Sequence, residues 1–158
     1  MSEQKEKKKS RHFTVVVRRE FRWTVEKTFS SWIDPEIRRR VLSHGRYKNG
    51  VKEVDVIEGG RERYEDRWRN RLHSTTHRLY VIIRPPKLIV AHTQQTLEGD
   101  MYDQHWATQE LLLFKTKGDG CEVVASDQCV SIEPWYIHAA EERLNETFDV
   151  FEKSVASD

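Results

Sequence analysis

A chain of 158 residues is about one domain in length and long enough to bury a hydrophobic core. Charged residues make up 34% and aromatic residues 10%, the profile of a folded globule with a well-solvated surface. Lys and Arg number 27 against 26 Asp and Glu, so the net charge of +1 leaves no overall basic field to draw in nucleic acid or an anionic membrane.

Residues 1–11 are locally basic through Lys5, Lys7, Lys8, Lys9 and Arg11. A run of this kind serves some proteins as a nucleic-acid arm. No aromatic residue interleaves this one, and a disordered solubilising tail is the expectation. No apolar stretch follows the charged start, so a secretory signal is not expected. Residues 12–158 read as a single domain. The first strand is expected over about 12–23, where Phe13, Val15, Val17 and Phe21 share one parity.

Thr24 opens a helix whose Val25, Phe29, Trp32 and Ile33 form one apolar stripe. Asp34-Pro35-Glu36 ends it and starts another, with Asp34 as N-cap and Pro35 in the first helical position. From about 51 to 130 the pattern is strand and turn. Strands are expected over 51–58, 61–69, 77–84, 88–96, 104–115 and 121–130. Gly59-Gly60, Pro85-Pro86, Glu98-Gly99-Asp100 and Gly118-Asp119-Gly120 separate most of them. The last element is a helix over about 134–155, with Ile137, Ala140, Leu144, Phe148, Phe151 and Val155 on one face.

The longest apolar runs, 80–83 and 111–114, are far too short to span a bilayer. Cys121 and Cys129 fall on one predicted strand, eight residues apart. At strand rise that is about 25 Å, whereas a disulfide needs Cα atoms within about 7 Å. Free thiols and a reducing, cytoplasmic compartment are therefore expected.

One strand, two helices, six strands and a long helix do not alternate as a doubly wound sheet must. The fold class is α+β, with an antiparallel sheet of about seven strands curling around the final helix. The aromatic helix Phe29-Ser30-Ser31-Trp32, followed by Asp34-Pro35-Glu36, resembles the helix-grip proteins of the START/Bet v1-like superfamily. Within it the chain looks most like the branch of the activator-of-Hsp90-ATPase homologues and polyketide cyclases. Residues 54–62 resemble that branch's central hairpin, Arg84-Pro85-Pro86-Lys87 its Pro-centred turn, and Gly118-Asp119-Gly120 with Asp127-Gln128 its last hairpin. The resemblance implies an internal pocket. It also implies a choice among ligand carriers, a few enzymes and a chaperone-activating module.

Strand parity suggests what lines such a pocket. Glu62, Tyr64, Asp66 and Trp68 share one face of the third strand, and Arg61, Arg63, Glu65, Arg67 and Arg69 share the solvent face. Trp106 and Glu110 go together on the sixth strand, Val123, Ala125 and Asp127 on the seventh, and Leu88, Val90 and His92 on the fifth. The candidate ligand site is thus aromatic with a polar insert. Trp32 is expected near its mouth, Tyr64, Trp68 and Trp106 on its sheet wall, and Leu144 and Phe148 on its helix wall, with Asp66, His92 and Glu110 as polar groups. The carboxylates are expected toward strand ends, within reach of water. Two of them brought together and desolvated would raise one pKa and supply a general acid.

The seven histidines are scattered, with none at the spacing of a metal motif, and no phosphate loop or nucleophile motif is present. Neither metal nor cofactor is expected. The leading expectation is a non-catalytic binder of a small, partly apolar, ring-bearing molecule. The alternatives are a cyclase, dehydratase or hydrolase using an inward carboxylate or His92, and a module that meets a chaperone. Monomer and dimer are both open, since Leu111 and Leu113 share the outer parity of their strand.

Overall fold

The computed structural model describes residues 11–44, 50–69, 71–98, 105–131 and 136–157. The expected tail falls outside them. In chain order the elements are β1 (Arg11–Phe21), α1 (Val25–Ile33), α2 (Pro35–Leu42), β2 (Val51–Val54), β3 (Arg61–Trp68) and β4 (Arg71–Arg84). β5 (Leu88–Leu97), β6 (His105–Lys117), β7 (Gly120–Ser131) and α3 (Tyr136–Ala156) complete the order.

The two short helices start where their caps dictate. The Thr24 hydroxyl accepts from the Lys27 amide at 3.2 Å, and Asp34 Oδ1 accepts from the amides of Glu36 and Ile37 at 2.8 and 3.0 Å. Pro35 then sits where no amide hydrogen is needed.

All seven strands form one antiparallel sheet in the order β1-β7-β6-β5-β4-β3-β2. The chain meanders from β2 to β7, and β1 closes the far edge against β7. Two boundaries differ from expectation by more than two residues. β2 stops at Val54, because the chain turns through Gly59 at φ +79° and Gly60, whose added Cβ would lie 2.3 Å from the Asp55 carbonyl oxygen. β4 begins six residues early, at Arg71. Its first buried positions are Ser74 and Thr76, so no apolar alternation announced it.

α3 crosses the inner face of the sheet with Ala140, Leu144, Phe148, Phe151 and Val155 buried. At one end of that face lies a solid aromatic cluster. Phe21 meets Phe148 and Phe151 edge-on at 5.9 and 5.4 Å, Phe29 meets Phe114 at 4.9 Å, and Trp32 lies 4.7 Å from Phe151.

Cys121 and Cys129 are both on β7, buried and not joined in a disulfide, and burial pushes the Cys121 thiol pKa up. Denatured, unreduced protein should therefore titrate two thiols, and native protein should react with a bulky disulfide reagent only on the timescale of unfolding. Prompt reaction of the native protein would show that the β1–β7 edge opens.

Candidate functional site

The sheet register sorts the inward side chains into rows. Glu62, Arg78, Thr93, Thr108 and Cys129 lie side by side across β3 to β7. One row nearer the aromatic cluster come Tyr80, Ala91, Glu110 and Asp127, and then Ile89, Leu112 and Ala125. On the other side of the first row lie Tyr64, Thr76 and Gln95. The inner face thus grades from aromatic through apolar to a charged belt and then to a hydroxyl and amide belt.

Over the polar belts the sheet and α3 separate and leave a partly open cavity of about 500 Å³. Thr76, Arg78, Thr93, Gln95, Thr108 and Glu110 form its sheet wall. Val41 and Leu42 of α2 and Ala140, Leu144 and Phe148 of α3 supply apolar surface opposite, Glu142, Arg143 and Glu146 of α3 line it too, and Trp32 borders it at the aromatic end.

A buried ionic network underlies the sheet wall. Arg38 reaches down from α2 and donates from Nε and Nη2 to the two oxygens of Glu62 at 2.8 and 2.9 Å. Both side chains are sealed from solvent, at 1% and 0% exposure. The Tyr80 hydroxyl donates to Glu62 Oε1 at 2.5 Å. Arg78 places Nη1 3.6 Å from Glu62 Oε2, donates from Nη2 to Glu110 Oε2 at 3.0 Å and from Nε to Thr93 Oγ1 at 3.3 Å. Two guanidinium groups and two carboxylates so balance one another.

Burial alone would push the Glu62 pKa up, but Arg38 and Arg78 outweigh it and hold the carboxyl below its ordinary value. Burial opposes charge on Arg78 too, and Glu110 and Glu62 more than restore it. For Tyr80 burial dominates and raises the hydroxyl pKa, so it stays a neutral donor.

The expectation of exposed carboxylates is therefore corrected: Glu62, Asp66 and Glu110 are 0%, 4% and 7% exposed. Arg78 stands between Glu62 and Glu110. Glu110 and Asp127, by contrast, are direct cross-strand neighbours, and the pKa of Asp127 is raised by burial first and by Glu110 as well. His92 is another correction. On β5 the side chains turned to the interior are Ile89, Ala91, Thr93 and Gln95, while His92 sits on the opposite parity and does not border the cavity. The start of that strand is apolar on both parities, and Val90 is buried on the face opposite Ile89, so hydrophobicity did not choose between them.

Tyr64, Asp66, Glu110, Leu144 and Phe148 border the cavity. Trp32 does so from its buried end, not from a mouth, because Phe114, Phe148 and Phe151 surround its ring. The side chains of Trp68 and Trp106 lie outside the described residues. Arg38, Arg78 and Tyr80 were missed. The signals for them existed: Arg38 lies three and four residues before Val41 and Leu42 on the buried stripe of α2, and Arg78 shares parity with Thr76 and Tyr80.

Asp127 Oδ2 accepts from Arg143 Nη2 at 2.9 Å, and Oδ1 is buried without a partner. Burial pushes its pKa up, beyond what Arg143 offsets. A carboxyl with a raised folded pKa holds its proton more tightly in the native state. Its contribution favours folding at low pH and becomes a cost as pH rises from the unfolded value of about 3.9 through the folded one. Asp127→Asn should remove that slope, so urea denaturation should find the variant gaining on the parent as pH is raised from about 4 to 7. A flat difference would show an ordinary solvated carboxylate.

Among the described residues no group of three or more His, Cys, Asp or Glu side chains is placed to hold a metal ion, and no helix is long and apolar enough to cross a membrane. One strand, two short helices, six meandering strands and a long helix across them constitute the α+β helix-grip fold of Bet v1-like proteins. An uncharacterized protein from Rhizobium leguminosarum shares it with a TM-score of 0.79 at 20% identity, over 95% of this chain and 98% of that one. The Mll3558 protein of Rhizobium loti gives 0.79 at 16% identity over 92% and 99%. Ara h 8.0201 gives 0.69 at 10% over 93% and 99%. These likenesses concern the fold. No family model matches the sequence, and no curated protein matches it.

Proposed function

We propose that the protein binds a small, partly apolar, ring-bearing molecule in the cavity between the sheet and α3, without transforming it. The observation that carries this reading is the cavity itself, about 500 Å³ with a polar sheet wall and a helix wall that combines Ala140, Leu144 and Phe148 with Glu142, Arg143 and Glu146. That is within the range of small-molecule sites, which combine apolar surface with a few convergent polar groups. The polar wall is built on rigid strands and cross-braced by Arg38 and Arg78, so it is formed before a ligand arrives. Turnover is the weaker reading because Glu62 and Glu110 are committed to arginine and His92 stands off the site.

Native mass spectrometry of protein from its own host should reveal a retained small molecule. In vitro, the neutral dye N-phenyl-1-naphthylamine should brighten on binding and raise the melting temperature. At a hundredfold excess over Kd, that stabilisation is about 2.7 kcal/mol. Leu97→Trp, which crowds the cavity border, should abolish the response, and Arg67→Ala on the outer face should leave it intact. No retained molecule and no dye response would overturn the binder reading in favour of a surface-borne, chaperone-directed module.

A further inference from the structure

We infer that Glu110 anchors the ligand, and that the cavity accepts ring compounds bearing a hydroxyl group while rejecting their carboxylic acid counterparts. This rests on the binding reading above and names the chemistry of the same site. Glu110 accepts from Arg78 through Oε2 only. Among the described residues no donor is paired with Oε1, although the side chain borders the cavity and is only 9% exposed. A carboxylate that borders a cavity with one oxygen lacking a protein donor can take a donor from what enters, and an O–H donating to a charged oxygen makes a stronger bond than one to a neutral acceptor.

The cations nearby are already engaged. Arg78 spends its three nitrogens on Thr93, Glu62 and Glu110. Arg38 faces Glu62 with two nitrogens, and its guanidinium carbon lies 5.3 Å from the Trp32 ring centre. Its third nitrogen, Nη1, is buried and unpaired, but the charge behind it is neutralised by Glu62. Arg143 is held by Asp127. Around the cavity Asp66, Glu110, Glu142 and Glu146 outnumber Arg38, Arg78 and Arg143, and Glu62 and Asp127 lie behind the wall. An entering carboxylate would lose its water, meet an excess of carboxylates over arginines and, among the described residues, find every arginine at the cavity already facing a carboxylate. A hydroxyl meets none of these costs. Beside Glu110, Thr93 and Thr108 offer further hydroxyl partners to a second polar substituent.

The test uses three bicyclic probes of one shape on the full chain near pH 7.5: naphthalene, 2-naphthol and 2-naphthoate. Titration should find 2-naphthol bound about tenfold or more tightly than naphthalene, with 2-naphthoate weakest. Glu110→Gln keeps an oxygen for Arg78 but turns an amide donor toward the cavity. It should erase most of the preference for 2-naphthol and improve 2-naphthoate binding. Should that variant fold poorly, the ranking on the parent protein still decides. Equal binding of naphthalene and 2-naphthol, or tightest binding of 2-naphthoate, would overturn this assignment alone. Silence from all three probes would overturn the binder reading and this assignment with it.

Discussion

Glu62→Gln should cost about 3–5 kcal/mol of stability, the usual consequence of removing one partner from a buried ion pair. The substitution keeps shape and removes one charge, but that charge faces two guanidinium groups. Arg38 donates to it twice, and Arg78 stands 3.6 Å away. With Glu62 at 0% and Arg38 at 1% exposure, no water replaces the lost partner. A paired test strengthens the result. Arg38→Met added to Glu62→Gln should recover much of the loss, since the stranded cation is then gone while Arg78 keeps Glu110. Urea denaturation with unchanged m-values is the measurement. A loss below about 1 kcal/mol would show water entering the network, and the preformed cavity wall would have to be abandoned.

Phe148→Ala is expected to cost about as much, 3–5 kcal/mol, by the different route of an unfilled void. Phe148 is 1% exposed and sits where α3 seals both the aromatic cluster and the cavity. Its ring lies 5.9 Å from Phe21 and 5.7 Å from Trp32. The flanking rings are fixed on β1 and α1, so they have little freedom to collapse into the space. The truncation also enlarges the ligand cavity, so bulky aromatic probes should bind the variant with a smaller proportional loss than its stability suffers. An unchanged melting temperature would mean that the α3 stripe faces elsewhere.

Much of the fold was legible because its signals are local. Thr24 and Asp34-Pro35 mark helix starts through hydrogen bonds spanning two or three residues. The α3 stripe from Ala140 to Val155 is visible as a period, and Phe13, Val15 and Val17 are visible as an alternation. The inward face of β3 was legible as well, because Arg61, Arg63 and Arg67 on its other parity have nowhere to go but water. β5 offered no such contrast. Leu88 and Val90 compete with Ile89 and Ala91, and only contact with neighbouring strands and α3 selects the second pair for the interior.

By itself the sequence determined the element order, the α+β class and the helix caps, since each depends on residues within a turn or a pleat of one another. It also determined that carboxylates and aromatic rings would share the inner face. Only the tertiary structure decided what those carboxylates do. Arg38 and Glu62 are 24 residues apart, and Arg78 and Glu110 are 32. A charge's worth depends on its distance to its partner and on the water excluded around both, and neither quantity exists until the sheet, α2 and α3 have closed over them.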